Sequence, residues 1–414
     1  MTLATDLAVR DLTDPAAGPH AIQLIVDAVL AAAHARYPEA AVIVHRGDRI
    51  VDVADNYDRL GYSPSAAARD SRYTRYVDER RMLRSQTSAL IPGALRQLPV
   101  TEALIVCPGM VYRRDSIDRL HTGTPHQLDL WWVGPSPAET PSPTEQPAPA
   151  IPIAPADAPA AADEPAPTEP TTQADSLGLG GDLIALVAAV VAAVLPGAEW
   201  RANPAAHPYT TGGLEIEALV GNAWVEIGEC GVAARQVIGS GRQGLALGLG
   251  LDRLLMLRKG IDDIRLLRST DPRVSGQLLD LTPYRPVSLQ PAARRDISVA
   301  LPAGVTAEEL GDRVRELLGA DAHLVEEVAI ESVTPPAALP EASRERLGIR
   351  DGEVNVLLRV VLRDLHRALP KQAANALRDR LYAGLMSNRR DGSGVECAVD
   401  DGDGLAGQQG AVAA

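Results

Sequence analysis

The sequence predicts an α+β protein built on an antiparallel sheet with flanking helices. Predicted strands follow one another through short turns, as antiparallel neighbours do. Segments with helical apolar spacing stand before and after these strands and do not alternate with them one by one. Hydrophobic residues are 46% of the 414 residues, which is enough for real cores and excludes a wholly disordered chain.

Composition excludes several classes of protein. The 40 basic and 54 acidic side chains give a formal charge of −14, but ten of the acids lie in the proline-rich stretch and the C-terminal end, so the acidity says little about partners, and the sequence shows no basic face for nucleic acid either. The three cysteines form no CxxC pair, which excludes a disulfide scaffold and a Cys-rich zinc site. The longest apolar run, residues 183–195, is shorter than the roughly 20 residues that span a bilayer. The first 20 residues hold three acids and no apolar core, so we expect an intracellular, cytoplasmic protein without a membrane segment.

Proline content divides the chain. Twelve prolines lie between residues 135 and 170, interleaved with Ala, Thr and Glu, and such a stretch cannot bury enough apolar surface to order itself. The acidic, Gly/Ala-rich end is read as a disordered tail. The predicted division is a larger domain in two parts, 1–133 and 182–283, with a linker over 134–181 between them. A small domain over 284–395 and a tail over 396–414 follow.

The larger domain has elements on both sides of the linker. Helices are predicted over 20–37, where Ile22, Ile25, Val26 and Val29 share one face, and over 88–98, 182–195 and 252–259. Short apolar runs bounded by turn residues predict strands over 41–45, 50–53, 103–107, 110–115, 126–133, 214–220, 223–228 and 245–251.

A different order of elements begins at Arg294. A strand over 296–301, a helix over 306–318, two strands over 324–330 and 355–365, and a helix over 372–385 follow in turn. This split βαβ order predicts a ferredoxin-like small domain.

A glycine-rich strand is the first candidate for a ligand site. Leu245, Leu247 and Leu249 alternate with Ala246, Gly248 and Gly250, so one strand face is leucine and the other is bare of side chains. A flat ligand can lie directly on such a backbone. A helix then begins at Asp252 and places the guanidinium of Arg253 beside the bare face, where it can bind phosphate. The GxGxxG match over 239–244 lacks the strand and helix of a dinucleotide fingerprint.

A polar hairpin is the second candidate. On a strand over 110–115, Arg113 shares a face with Asp115, while Arg114 points the other way. On the returning strand, Gln127 and Asp129 share a face. The hairpin therefore presents a patch with both charge signs, and an ordinary solvated face remains the alternative.

These patterns together resemble motifs 2 and 3 of class II aminoacyl-tRNA synthetases, and phenylalanyl-tRNA synthetase of the single-chain organellar type in particular. The resemblance covers most of the chain outside the linker and the tail. The matching segments are residues 56–58, 68–70, 83–88, 112–115, 126–129, 224–231, 248–253, 260–265, 294–298 and 374–379.

The resemblance implies a ligase that activates an amino acid, phenylalanine or a related acid, as its adenylate and transfers it to tRNA. Arg113 would hold the α-phosphate of ATP and Arg253 the γ-phosphate. The implied ATP-binding residues are Arg113, Asp115, Gly248, Gly250, Asp252 and Arg253, and the implied amino-acid-binding residues are Gln86, Ser88, His126, Gln127, Asp129, His207 and Tyr209. ATP and Mg²⁺ are the implied cofactors, with the metal ligands left open, and the small domain would bind the anticodon. Both a monomer and a homodimer are compatible with the sequence.

Several positions depart from the family. Pro125 stands where the family has a Phe, Gln86 replaces a His, and residues 207–212 replace Phe-Pro-Phe-Thr-Glu-Pro, so that Thr211 stands at an acidic metal position. Phenylalanine is absent from the whole chain, although Tyr occurs nine times. Either every Phe has been removed, so that the enzyme can be made when phenylalanine is scarce or replaced by an analogue, or the site has moved to another substrate.

Three functions therefore stay open at the level of sequence. The first is the tRNA ligase that the resemblance implies. The second is a ligase that passes the activated acyl group to an acceptor other than tRNA. The third is a catalytically silent paralogue that binds an amino acid or tRNA as a sensor, which the changes at Pro125 and Thr211 suggest.

Overall fold

The structure is a computed structural model that describes residues 3–98, 102–136, 179–287 and 291–387. Most of the predicted linker and the whole predicted tail lie outside the described residues. The two predicted linker ends belong to regular elements, because a strand runs on to Pro135 and a helix starts at Leu179. In the part of the chain that is described, no helix is long and apolar enough to cross a membrane.

The described residues form twelve strands and eleven α-helices, with short 3₁₀ turns between them. The strands are β1 (Ala41–Val44), β2 (Ile50–Asp52), β3 (Arg81–Leu83), β4 (Ala103–Met110), β5 (His126–Pro135), β6 (Trp200–Pro204), β7 (Thr210–Val220), β8 (Ala223–Ala233), β9 (Arg242–Gly250), β10 (Ala293–Pro302), β11 (Val325–Thr334) and β12 (Glu353–Leu362). The helices are α1 (Leu3–Ala8), α2 (Ala21–Arg36), α3 (Val53–Asn56), α4 (Ile91–Arg96), α5 (Leu179–Val194), α6 (Arg235–Ile238), α7 (Leu251–Lys259), α8 (Pro272–Ser275), α9 (Ala307–Leu318), α10 (Glu341–Leu347) and α11 (Lys371–Ser387).

A seven-stranded sheet organises the larger unit, in the order β1-β4-β5-β9-β8-β7-β6. Every neighbouring pair is antiparallel except β1 and β4, which are parallel, so the sheet is mixed and the predicted antiparallel sheet holds for all but this edge. β6 was not among the predicted strands.

One face of this sheet is covered by helices α2, α5 and α7. The predicted leucine face of β9 points into this layer, where Leu245 and Leu247 are fully buried in the same hydrophobic core as Ile25 of α2 and Leu186 of α5. Burial of each such side chain stabilises the fold by about 1.5–3 kcal/mol, so the leucines determine which face of β9 is directed toward the helices. Its glycine face is thereby directed to the opposite side of the sheet.

The predicted strand over 110–115 is wrong, because β4 ends at Met110 and the next residues form no ladder. Their backbone N–H groups donate to three segments: Val111 N to Pro125 O at 2.8 Å and Arg113 N to Gly123 O at 3.1 Å, Tyr112 N to Arg84 O at 2.9 Å, and Arg114 N to Tyr73 O at 3.3 Å. Every second N–H group therefore bonds to the segment before β5, as it would in a strand, but the regular ladder ends at Met110. The segment is therefore extended and held from both sides without belonging to a sheet.

The C-terminal unit has its own antiparallel sheet in the order β10-β12-β11. Helices α9 and α11 pack on it through Leu310, Val314 and Leu381, all fully buried. α9 starts in a capping box, in which the Thr306 side chain accepts from Glu309 N at 3.3 Å and the Glu309 carboxylate accepts from Thr306 N at 3.1 Å. The elements follow in the predicted order, with α10 as an addition between β11 and β12.

One of the contacts between the two units is made by residues 115–117 of the segment between β4 and β5. The side chain of Ile117 is 8% exposed and belongs to the hydrophobic core of the C-terminal unit. Ile117 O accepts a hydrogen bond from Val328 N at 2.8 Å. Arg315 donates to the carbonyl oxygens of Asp115 at 2.7 Å and Ser116 at 3.0 Å. This segment is thus anchored in the C-terminal unit at its middle.

Candidate active site

A cavity of about 470 Å³ opens over the glycine face of the large sheet. Its floor includes Gly248 and Gly250 of β9 and Gly228 of β8. A Cβ added at Gly248 or Gly250 would clash with nothing, since the nearest atoms lie at ordinary van der Waals distances of 3.9 and 3.8 Å. The bare face predicted from the alternation in β9 is therefore the floor of a real cavity.

The cavity brings together all the site residues predicted from the sequence. They are Gln86, Ser88, Arg113, Asp115, His126, Gln127, Asp129, His207, Tyr209, Gly248, Gly250, Asp252 and Arg253. Pro125, the residue that replaces a Phe, also lines the cavity, while Thr211 does not. The hydrogen bonds, ion pairs and ring contacts of these residues divide them into three groups.

The first group is the pair of arginines. Arg113 lies in the segment after β4, where its Nε donates to Ser85 O at 2.9 Å. Arg253 lies in the first turn of α7, and its Nη1 donates to Glu226 O at 2.9 Å and lies 3.2 Å from the Glu226 carboxylate. Its Nη2 lies 3.1 Å from His121 Nε2. Both guanidinium groups are thus held by neighbours at the edge of the glycine floor.

His121 is itself oriented by an acid. Its Nδ1 lies 2.6 Å from Asp118 Oδ2, and this hydrogen bond raises the pKa of His121 above its usual range. Arg253 opposes the shift through its charge. Residues of the segment between β4 and β5 therefore contact the α7 arginine directly.

The second group is buried and already bonded. The side chain of His126 is 0% exposed, with Nδ1 2.9 Å from Asp252 Oδ1, while its Nε2 accepts from Leu12 N at 3.1 Å. Burial alone would raise the pKa of Asp252, but its contacts with His126 outweigh burial and hold that pKa below the usual range. Both residues line the cavity and are already bonded to each other there, and their predicted contacts with substrate and ATP stay predictions.

Asp129 is buried in the same way. Its carboxylate accepts from Thr87 Oγ1 at 2.8 Å, Ser88 Oγ at 2.9 Å and Trp131 Nε1 at 3.1 Å. Burial raises the pKa of Asp129 in spite of these three donors. Asp129 therefore fixes Ser88 at the edge of the cavity.

The third group forms the upper wall. Gln86 is bonded on both sides, with its Nε2 donating to Asn56 O at 2.9 Å and its Oε1 accepting from Tyr62 OH at 3.2 Å. Tyr209 is half-buried, and its ring stacks on those of Trp131 and His207, at centroid distances of 6.2 and 5.8 Å. Burial raises the pKa of Tyr209 far above that of a free tyrosine, so its ring stays neutral.

Among the lining residues that the sequence reasoning did not assign to the site are Tyr62 and Glu229. Tyr62 reaches the cavity from the turn after α3, and Glu229 projects from β8. Glu229 Oε2 lies 3.0 Å from His207 Nε2, and this bond holds the pKa of Glu229 below its usual range. Alternation along β8 could have indicated that Glu229 shares a face with Gly231, but not that this face is the one above Gly248.

The acids of the cavity do not form a preformed metal cage. In the described ranges, no three His, Cys, Asp or Glu side chains converge as metal ligands. Glu226 and Glu229 both line the cavity, paired with Arg253 and His207 respectively. Mg²⁺ commonly binds through one or two carboxylates together with substrate phosphates, so Glu226, which lies beside Arg253, fits a metal that arrives with a nucleotide.

Comparison with known proteins points to one family. A family model described as "tRNA synthetases class II core domain (F)" matches residues 19–136 and 179–278. The phenylalanine--tRNA ligase alpha subunit of Deinococcus radiodurans is 26% identical over 297 residues. The alignment covers 66% of this chain and 74% of the Deinococcus protein.

A mitochondrial relative aligns over more of the chain. The probable mitochondrial phenylalanine--tRNA ligase of Drosophila melanogaster is 26% identical over 361 residues, covering 80% of this chain and 74% of its own. Among solved structures, a pyrrolysyl tRNA synthetase of Desulfitobacterium hafniense is similar with a TM-score of 0.40 and 16% identity, covering 61% of this chain and 74% of that one.

Proposed function

Because the chain belongs to the class II tRNA synthetases by its core domain, we propose that it is a ligase that activates an amino acid with ATP and transfers it to tRNA. The matched ranges span 218 of the 414 residues, which is more than half of the chain. Phenylalanine--tRNA ligases among the relatives support transfer to tRNA over another acceptor or a silent sensor. Phenylalanine or a related acid is the proposed substrate.

The observation that carries this proposal is the pair Arg113 and Arg253 beside one glycine floor. A triphosphate laid over Gly248 and Gly250 would bring its charge between the two guanidinium groups, which bind phosphate oxygens in planar pairs. In the proposed reaction, an oxygen of the amino-acid carboxylate attacks the α-phosphorus of ATP. The bond between the α-phosphorus and the oxygen that bridges to the β-phosphorus breaks, and pyrophosphate leaves with the electron pair. The carboxylate is already ionised at neutral pH, so no general base is needed.

Catalysis in such a site comes from positioning and from neutralising charge. Arg113 is held by Ser85 O and would face the α-phosphate, while Arg253 is held by Glu226 and would face the γ-phosphate. Mg²⁺, held by Glu226 with the phosphates, would neutralise further phosphate charge. Ser88 and Gln127 would hold the charged ends of the amino acid.

We also propose that the C-terminal unit is a ferredoxin-like, anticodon-binding domain of the single-chain type. Its strand order β10-β12-β11 and its two helices on one face support this fold. Coverage of 80% is about 331 of 414 residues, so the alignment with the Drosophila protein must pass residue 278 wherever it begins. The proposal keeps the domain boundaries predicted from the sequence and a cytoplasmic location, where ATP and tRNA are available.

The test is pyrophosphate exchange into ATP with each amino acid, followed by charging of total tRNA. The wild-type protein is expected to support exchange with at least one aromatic amino acid and then to charge tRNA. Arg113→Ala and Arg253→Ala should each lower kcat/KM at least a hundredfold, because each removes a charge that the transition state needs. Arg367→Ala, whose side chain is 85% exposed on the C-terminal unit, is the matched control for exchange and should leave it unchanged. No exchange with any amino acid would overturn the proposal.

A further inference from the structure

We propose that the amino-acid subsite prefers an aromatic amino acid that carries a hydroxyl group over phenylalanine, and that Glu229, positioned by His207, sets this preference. This inference rests on the proposed function, because it concerns the substrate of the same site. It follows from which parts of the cavity floor are filled and which are open.

The deep end of the floor is filled. Trp131 of β5 lies opposite Ala246 of β9, and Trp131 is fully buried. The Tyr209 ring stacks on Trp131 and lines the cavity, whereas Trp131 and Ala246 do not. The ring of Tyr209 is therefore the end wall against which a substrate side chain must stop.

The open part of the floor is the next row, formed by Asp129, Gly248 and Glu229. These residues lie opposite one another on β5, β9 and β8. Adjacent strands are about 4.8 Å apart, so the two acidic residues stand roughly 10 Å apart across a glycine. An added Cβ at Gly248 would lie 3.9 Å from both Asp129 Oδ1 and Glu229 O, which leaves a slot between the two acids.

The two acids are not equivalent. Asp129 is 4% exposed, and its carboxylate already accepts three hydrogen bonds from Thr87, Ser88 and Trp131. The Glu229 side chain is 41% exposed, and the ion pair with His207 involves Oε2. Glu229 is therefore the acid that a side chain lying in the slot can reach.

His207 is fixed where it can hold Glu229. Its side chain is 9% exposed, with the ring stacked on Tyr209 and Nδ1 3.4 Å from Thr210 Oγ1. Gly213 leaves room for it, because an added Cβ there would lie 2.8 Å from His207 Nδ1. His207 is thus a positioning residue that directs the carboxylate of Glu229.

A ring in this slot would be surrounded by Tyr62, His207 and Tyr209, which suits an aromatic side chain. A benzyl group would also cover the Glu229 carboxylate and take water from it without offering a hydrogen bond in return. A hydroxyl on the same ring, or on the carbon that joins it to the backbone, would donate to that carboxylate. Sites that hydrogen-bond a substrate hydroxyl reject the analogue that lacks it, and a partly exposed acceptor such as Glu229 should give at least a tenfold preference.

The experiment compares amino acids that differ by one hydroxyl. Pyrophosphate exchange is measured with phenylalanine, the ortho, meta and para isomers of tyrosine, and β-hydroxyphenylalanine. The wild-type protein is expected to use at least one hydroxylated amino acid with a kcat/KM tenfold or more above that for phenylalanine. In Glu229→Leu this ratio should fall at least tenfold, while Glu229→Gln, which keeps an oxygen acceptor, should retain most of it.

Two controls separate specificity from damage. Glu217→Leu removes an acid from β7 of the same sheet that does not line the cavity, and it should leave the ratio unchanged. Circular dichroism should show that both Glu229 variants are folded. A wild-type preference for phenylalanine, or a ratio unaffected by Glu229→Leu, would overturn the inference while the proposed ligase function stands. Absence of exchange with every amino acid would instead overturn the proposed function and this inference with it.

Discussion

The guanidinium of Arg84 occupies the space that a side chain at position 109 would need. An added Cβ at Gly109 would lie 2.0 Å from Arg84 Nη2. Arg84 is 2% exposed and donates to the carbonyl oxygens of Met110 at 2.8 Å and Arg46 at 2.7 Å. Its own carbonyl accepts from Tyr112 N at 2.9 Å, so the arginine joins the end of β4 and the residues after it to the segment around Arg46.

Gly109→Ala is therefore expected to destabilise the protein. A methyl group would push the buried guanidinium from its acceptors and leave a charge without partners, at a cost of about 3 kcal/mol. Urea unfolding followed by circular dichroism measures the loss. Gly181→Ala is the matched control, since Gly181 lies in α5 with no atom within 4 Å of an added Cβ, and it should be neutral or stabilising. Equal stability of the two variants would contradict the steric role of Gly109.

His20 should make stability depend on pH. Its Nδ1 accepts from Ile22 N at 3.1 Å at the start of α2, and its Nε2 lies 3.1 Å from Leu267 O, which fits a neutral ring that donates at Nε2. Burial lowers the pKa of His20 to about 4, compared with about 6.5 in an unfolded chain. The unfolded state therefore binds more protons between these values, and stability is lost as pH falls through this window.

The free energy of unfolding should drop by about 2 kcal/mol from this group between pH 8 and pH 5. His20→Asn keeps a side chain that can cap α2 but does not titrate, so its unfolding free energy should change less over the same range. The readout is the difference between the two pH profiles, because other groups titrate in both proteins. Parallel profiles would show that His20 does not titrate as proposed.

Replacing Tyr57 by phenylalanine should lower the stability of the protein, although the ring itself would fit. Its hydroxyl donates to Ala68 O at 2.6 Å and contacts Thr74 Oγ1, and the side chain is 1% exposed. Tyr57→Phe removes this donor inside the fold and should cost about 1–2 kcal/mol. Tyr382→Phe, at a tyrosine that is 36% exposed, is the control and should cost nothing measurable in thermal unfolding. A Tyr57→Phe protein as stable as the wild type would show that the hydroxyl does not stabilise the fold.

Ile117 should couple the C-terminal unit to nucleotide binding. Ile117→Ala removes a buried side chain from the core of that unit and should cost about 2–3 kcal/mol. The same change should raise the KM for ATP, because Ile117 lies between Asp115 and His121, which line the cavity. Ile184→Ala, at an isoleucine of α5 that is 41% exposed, should change neither quantity. An unchanged KM for ATP in a destabilised Ile117→Ala protein would contradict the coupling between the C-terminal unit and nucleotide binding.

Local patterns were sufficient to predict much of the fold. The alternation of leucine and glycine in β9 fixes a buried face and a bare face, because side chains on a strand alternate without reference to any distant residue. The apolar spacing of α2 and the capping box of α9 act in the same local way. Elements of this kind were placed correctly to within a few residues.

What the sequence could not reveal depends on pairing between distant segments. Glu229 enters the cavity only because β8 is registered with Gly248 of β9, and register is not encoded in either strand alone. The parallel pairing of β1 with β4 is likewise a contact across about sixty residues. Residues 111–115 look like a strand in isolation, but their neighbours offer backbone acceptors on three different segments in place of a partner strand.

Ile117 has a consequence for protein engineering. The cavity-lining segment contributes a side chain to a hydrophobic core that otherwise belongs to the C-terminal unit. A chimera that exchanged this unit for one from a relative would need a matching pocket for Ile117 and a counterpart of Arg315. Without them, it would place a foreign surface directly against the segment that lines the cavity. The two halves of this enzyme are therefore better recombined as one inherited block than as interchangeable modules.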